Sequence, residues 1–108
     1  MEQTKEAKIR DEYWKLSREA VTAIMAKSGA FRPDLDGPRA DGHIAYRLME
    51  KGYTEREVAG VIDRESETAK DRKLDEPGYA VSTAKDGARY LTQQRAMAMV
   101  QGQMVQGQ

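Results

Sequence analysis

The sequence predicts an all-α protein, a bundle of four or five helices. Apolar residues recur at three- and four-residue steps along most of the chain, which is the periodicity of amphipathic helices. Capping residues and Pro/Gly pairs separate the periodic stretches, as helix ends require. Residues 79–83 are the only candidate strand, and their pattern fits a helix better. At 108 residues the chain is one domain at most, with room for one modest core.

A long first helix is predicted over residues 5–27. Lys27 suits the negative end of its dipole, and Gly29 can end it in the left-handed conformation. The apolar face of this helix consists of Ile9, Tyr13, Leu16, Ala20 and Ile24. Residues 30–38 contain two prolines and an Asp-Gly pair, and they are therefore predicted as a loop.

The second helix is predicted over residues 38–51, because a proline suits the first helical position. A tight helix–turn–helix corner follows at residues 51–55. Gly52 suits the left-handed residue that ends one helix. Thr54 and Glu57 have the spacing of a capping box, in which each side chain bonds a free backbone N–H of the next helix.

The third helix is predicted to start after Thr54. Its apolar positions are Val58, Ala59, Val61 and Ile62. Ser66 can cap a short extra turn that reaches Arg72, and residues 75–77 signal the start of a fourth helix. That helix carries Tyr79, Ala80, Ala84, Ala88 and Leu91. Gly87 either weakens it or marks a close helix contact.

The predicted domain organisation is a single helical bundle over residues 1–92, with its core module at 36–88. Residues 93–108 form a Gln/Met-rich extension that we expect to be helical at first and then to fray, with Gly102 and Gly107 in the frayed part.

Composition excludes several classes of protein. The chain has no cysteine, so it has neither disulfides nor a Cys-based metal site, and a cytoplasmic location is expected. No apolar run is long enough for a bilayer, and the N-terminus lacks the hydrophobic region of a signal peptide, so no membrane association is expected. Eighteen basic residues balance eighteen acidic residues, which counts against strong autonomous DNA binding.

No pattern in the chain indicates an active site, and we expect no catalytic residue, cofactor or metal. Asp34 and Asp36 are spaced like a metal-binding acid pair, but they lie in the predicted loop, and a solvated, helix-capping role fits better. His43 is the only histidine, which leaves carboxylates as its only potential co-ligands, so a surface position is the better interpretation.

Two interpretations concern nucleic acid. The corner at 51–55 could belong to a DNA-binding helix–turn–helix, but the third helix carries more acidic than basic residues, and carboxylates repel phosphate. Alternatively, the basic residues on both sides of the corner could form a patch that follows a single strand, with Tyr46 and Tyr79 as stacking surfaces. A solvated face in which acids and bases alternate explains the same residues without any ligand.

One block around the corner combines small, apolar and basic residues in a particular order. It consists of Arg39, Ala40, Asp41, Ala45, Arg47, Leu48, Gly52, Tyr53, Thr54, Glu57, Val58, Ala59, Ile62, Ser66, Arg72, Lys73, Glu76, Pro77, Tyr79, Ala80 and Thr83. This block covers about residues 36–88 and resembles the C-terminal helix-bundle segment that follows the catalytic domain in RepB-like plasmid DNA primases and in relaxase–primase fusion proteins. The catalytic domain of that family has no counterpart in this chain, and the helix at 5–27 is outside the resemblance.

The resemblance implies a non-catalytic accessory domain in plasmid replication, conjugation or mobilisation, which assists primer initiation on single-stranded DNA. The expected partners are single-stranded DNA and a replication or relaxase protein. The residues expected to bind nucleic acid are Arg39, Arg47, Lys51, Arg72, Lys73 and Tyr79, the basic side chains on phosphates and Tyr79 on a base. The alternatives are a protein–protein interaction module, favoured by the Met/Gln-rich tail, and a duplex-binding regulator.

Overall fold

The computed structural model describes residues 3–106, with side chains described through Gln101, and contains five helices in that range. They are α1 (Lys5–Ser28), α2 (Pro33–Glu50), α3 (Glu55–Glu65), α4 (Glu67–Asp71) and α5 (Tyr79–Gln106). No residue of this described range is in a strand. The predicted all-α bundle of four or five helices is therefore confirmed.

The ends of α1 follow from local capping chemistry. The Thr4 hydroxyl accepts a hydrogen bond from the Ala7 N–H at 3.1 Å, which satisfies a donor that the first turn leaves free. Gly29 ends the helix with φ +82°, a conformation that costs glycine little. The helix matches the predicted span of 5–27 to within one residue. It buries Ile9, Tyr13, Leu16 and Ala20, whereas Ile24 is only partly buried.

The second helix begins at Pro33 rather than near Pro38, so the predicted loop over residues 30–38 is wrong for residues 33–38. Pro33 takes the first helical position, and the Asp36 carboxylate accepts the Arg32 N–H at 2.8 Å. Pro38 lies inside the helix, where it has no N–H for the carbonyl of Asp34, four residues earlier. Arg72 donates to that carbonyl at 3.4 Å and so supplies a partner in place of the missing N–H.

The corner between α2 and α3 has the predicted geometry. Gly52 has φ +102°. The Thr54 hydroxyl accepts from the Glu57 N–H at 3.1 Å, and the Glu57 carboxylate accepts from the Thr54 N–H at 2.9 Å. The predicted capping box is therefore confirmed. Ser66, as predicted, caps the short helix α4 by accepting from the Ala69 N–H.

Helix α5 packs closely on α2 at Gly87. A Cβ atom at Gly87 would lie 2.9 Å from Cβ of Ala45 and 3.0 Å from the backbone nitrogen of Tyr46. The 2.9 Å distance is shorter than real Cβ atoms show and the 3.0 Å distance is unusually tight, so a side chain at this position would push the two helices apart. The interpretation of Gly87 as a close helix contact is confirmed.

Helix α2 lies at the centre of the bundle and contacts all four other helices. Its buried face includes Ile44, Ala45 and Leu48, which pack against buried residues of α3 and α5. The largest fully buried apolar side chains of the core are Ile44, Leu48, Val58, Val61 and Ile62. The face of α2 turned away from this core is consequently the part that remains available to a ligand.

The C-terminal half of α5 crosses the predicted boundary at residue 92 without a break. Almost all residues from Thr92 to Gln101 are exposed. The helix continues through Gly102, where fraying was expected, and reaches Gln106, whereas Gly107 lies outside the described residues. Between residues 3 and 106, no helix combines the length and apolar character needed to cross a membrane.

Candidate functional site

Four basic side chains follow one another at four-residue steps on α2 and its C-cap: Arg39, His43, Arg47 and Lys51. Residues four apart are neighbours on a helix surface, and each step rises about 6 Å. The four side chains therefore form a continuous stripe about 18 Å long, which we call the α2 basic ridge. All except Arg47 are exposed, and Arg47 is partly exposed.

The ridge is only partly neutralised by acids. Arg47 pairs with Glu50 at 3.2 Å, and each side chain is 41% accessible to solvent, so the pair is weak. None of the ion pairs formed within the described side chains involves Arg39 or Lys51. Positive charge is thus available at both ends of the ridge.

A cleft with aromatic walls lies between the ridge and α5. Its volume is about 300 Å³, and it is lined by Pro38, Arg39, Gly42, His43, Tyr46, Asp86, Gly87 and Tyr90. We call it the aromatic cleft. The rings of Tyr46 and Tyr90 meet edge to face with centroids 4.8 Å apart, and the His43 ring lies 6.3 Å from Tyr46. Tyr90 remains 48% exposed.

A second cleft lies on the other side of the ridge, between α1 and α2. Its volume is about 400 Å³, and it is lined by Leu16, Glu19, Ala20, Ala23, Ile24, Arg39, Ala40, His43 and Arg47. Three ridge residues therefore border this cleft, and two of them, Arg39 and His43, border the aromatic cleft as well. The ridge is a raised basic strip with a groove on either side.

The structure places Tyr79 away from this surface. Its ring is only 7% exposed, and its hydroxyl donates to Oδ2 of Asp41 at 2.8 Å. The Arg72 guanidinium lies over the ring, 5.5 Å from the centroid. A base could stack on Tyr79 only by displacing core contacts, so the structure gives no support to the expected stacking role of Tyr79. Tyr79, Thr83 and Leu91 are all buried and lie at multiples of four residues on α5, and this spacing was the available sequence signal for a core position.

Arg72 and Lys73 are also separated from the ridge. Helix α4 packs on α2 at Gly37, where Thr68 occupies the space that a side chain would need. Gly37 and Arg39 are two residues apart, hence about 200° apart around the helix axis. Arg72 is held beside the first turn of α2 by its bond to the Asp34 carbonyl, and it also bonds Glu76 at 3.5 Å. The structure therefore does not join these two residues to Arg39, Arg47 and Lys51 in one patch.

A buried carboxylate at the centre of the bundle was not singled out by the sequence. Asp41 is 3% exposed, and it accepts hydrogen bonds from the Tyr13 hydroxyl at 2.9 Å, the Tyr79 hydroxyl at 2.8 Å and the Ser66 hydroxyl. Burial raises the pKa of Asp41, while its three hydrogen bonds act in the opposite direction. Burial, followed by the charge of Asp41, raises the pKa of Tyr13 and Tyr79.

This network has a structural rather than a chemical role. Its donors come from α1, the N-cap of α4 and the start of α5, so one carboxylate joins four segments. All its polar groups are satisfied by one another, as buried polar groups require. The available sequence signal was the position of Asp41, which lies three residues before Ile44 on the inward face of α2.

The remaining acidic candidates do not form a metal site. Asp36 caps the backbone of Arg32, in keeping with its expected capping role. Among the described side chains, no group of three His, Asp or Glu residues is close enough to hold a metal ion.

Comparisons with protein-family models, with curated proteins and with solved structures find no match to this chain. The relationship to the accessory bundle of plasmid primases therefore stays a prediction from the residues that carry the resemblance.

Proposed function

We propose that this chain is a non-catalytic helical domain that engages single-stranded DNA through the α2 basic ridge. The observation that carries the proposal is the stripe of four basic side chains at four-residue steps on the outer face of α2. The three cations of the ridge, Arg39, Arg47 and Lys51, attract a phosphate backbone, and the aromatic cleft beside them can accept an unpaired base. The resemblance at 36–88 supports an accessory role in plasmid replication or mobilisation, in the cytoplasm.

A single strand suits this surface better than a duplex. The helix after the corner would have to enter the major groove of a duplex, and its exposed residues include Glu55 and Asp63. A single strand can instead lie along the ridge, with its bases turned into the grooves on either side. The zero net charge of the chain implies that binding is local and of modest affinity.

The ridge predicts how strongly binding depends on salt. Arg39, Arg47 and Lys51 can neutralise three phosphates, which gives a slope of log K against log salt of about −2 for a single strand. Between 50 and 200 mM salt, the affinity should therefore fall roughly 20-fold.

The experiment is fluorescence anisotropy with a labelled oligothymidine at low salt. The triple variant Arg39→Ala, Arg47→Ala, Lys51→Ala should bind about tenfold more weakly or worse, with a flatter salt dependence. The matched control is Lys70→Ala, Lys73→Ala, Lys85→Ala, which removes the same charge from exposed positions off the ridge. If both triple variants lose the same affinity for the oligonucleotide, net charge alone explains the effect, and the proposal that DNA binds at the ridge is refuted.

A second candidate function is supported by the exposed half of α5. Met97, Met99 and Val100 are each more than half exposed on a helix that has left the bundle. Adaptable methionine side chains suit a protein-docking face, here for a replication or relaxase protein. Pull-down of a purified primase or relaxase catalytic domain, with Met97→Glu, Val100→Glu as the control, tests this alternative.

A further inference from the structure

We infer that the aromatic cleft is a nucleobase site, in which one base of the bound strand stacks on Tyr90. The inference rests on the proposed function, because the strand must first be held by the α2 basic ridge. Arg39 belongs to both the ridge and the cleft wall, so a phosphate on Arg39 has its own base within reach of the cleft.

The walls of the cleft have the chemistry of a stacking site. The edge-to-face contact with Tyr46 orients the Tyr90 ring, and 48% of Tyr90 remains exposed. A ring fixed in this way loses little freedom when a base stacks on it. The volume of about 300 Å³ is at the small end of ligand-sized clefts, which is suitable for one base and too small for a duplex.

The charges around the aromatic cleft determine whether the base or the phosphate of a nucleotide can occupy it. Asp86 lines the cleft, and its carboxylate would repel a phosphate there. Arg89 only partly offsets it, since the two exposed side chains pair at 3.5 Å. The uncharged base therefore belongs inside the cleft, and the phosphate belongs on Arg39 at the edge.

Gly42 has no side chain and therefore leaves the aromatic cleft open. A substitution at this position tests whether a base binds in the cleft. A Cβ atom at Gly42 would meet no other atom within 4 Å, so a side chain there enters open space. Gly42→Gln should leave the fold intact, because glutamine is a better helix former than glycine. Its side chain would occupy the cleft and compete with the base.

The experiment compares an oligothymidine with an abasic oligonucleotide of the same length and charge. The wild-type protein should bind the base-bearing strand about 5- to 150-fold more tightly, which is the range for stacking on one aromatic ring. Tyr90→Ala and Gly42→Gln should each remove this preference while leaving the affinity for the abasic strand unchanged. Tyr90→Phe, which keeps the ring, should retain the preference.

Spectroscopy gives an independent measurement. A strand with 2-aminopurine at one position should lose fluorescence on binding to the wild-type protein and to Tyr90→Phe, but not to Tyr90→Ala. Circular dichroism verifies that each variant is folded. Salt-dependent binding with equal affinity for both strands would overturn the nucleobase site and leave the ridge intact. Binding of neither strand would overturn the proposed function and, with it, this inference.

Discussion

The hydroxyl of Tyr79 donates a hydrogen bond to Asp41 at 2.8 Å, which fastens the first residue of α5 to the middle of α2. Asp41 is an acceptor with almost no contact with water, so its partners in the protein take the place of hydration. Helix α2 is therefore held in place by groups of α1, α4 and α5.

Removing the Asp41 carboxylate should lower the free energy of unfolding more than removing any one of its three hydroxyl donors. Asp41→Ala leaves three hydroxyl groups without their acceptor, and we expect a loss of about 3–5 kcal/mol in the free energy of unfolding. Tyr79→Phe removes one of the three hydrogen bonds to Asp41 and should cost about 0.5–1.5 kcal/mol. Urea denaturation measures both. The control is Asp63→Ala on the exposed side of α3, where a change within about 0.5 kcal/mol is expected.

The raised pKa of Asp41 predicts a specific pH dependence of stability. The folded state binds the carboxyl proton of Asp41 more tightly than the unfolded state does. The contribution of Asp41 to the free energy of unfolding is therefore largest below the unfolded pKa of about 3.9. It is lost as pH rises through the folded pKa. We expect the unfolding free energy of the wild type, minus that of Asp41→Asn, to decrease as pH is raised from about 4. A difference that grew with pH would contradict the raised pKa.

Two glycine positions should respond in opposite directions to the same substitution. Gly87→Ala places a methyl group 2.9 Å from Cβ of Ala45, and we expect a net loss of about 1–3 kcal/mol from overpacking. Gly42→Ala adds a methyl group in open space on the neighbouring helix, and we expect a gain of about 0.5–1 kcal/mol. Thermal or urea unfolding of the two variants is the measurement. A gain for Gly87→Ala would show that the crossing of α2 and α5 is looser than described.

The stability of the corner between α2 and α3 should depend on the N-cap of α3. Thr54→Ala leaves the Glu57 N–H without its acceptor, and we expect a loss of about 0.5–2 kcal/mol. Thr22→Ala removes the same hydroxyl from an exposed position inside α1, where alanine is the better helix former, so it should be neutral or slightly stabilising. Similar losses for both variants would argue against a special role of the cap.

The features that were predictable from the sequence are those encoded by neighbouring residues. The capping box of Thr54 and Glu57 and the helix end at Gly29 each depend on a few consecutive positions, and they were predicted correctly. The start of α2 was misplaced because Pro38 is a local signal for a boundary. Its missing donor is compensated by Arg72, thirty-eight residues away from the Asp34 carbonyl. No local pattern contains that contact.

The candidate site was predictable only where it depends on neighbouring residues of one helix. Arg39, Arg47 and Lys51 share the outer face of α2, and the four-residue spacing of Arg47 and Lys51 was visible in the sequence. The pairing of Tyr46 with Tyr90 depends on how α5 crosses α2, and the burial of Tyr79 depends on where Asp41 lies. Both are long-range packing outcomes, so the aromatic cleft could not be located before the fold was known.

The hydrogen bonds of Asp41 also have a consequence for the kinetics of folding. They join residues 28, 25 and 38 positions apart in the chain, so they cannot form until α1, α2 and the start of α5 have all come together. We predict that these bonds form late, after the folding barrier has been crossed, which φ-values near zero at Asp41 would show. Substitutions at Asp41 should then leave the refolding rate nearly unchanged and accelerate unfolding. The buried carboxylate would therefore mainly slow the unfolding of the bundle and so prolong the lifetime of the native state.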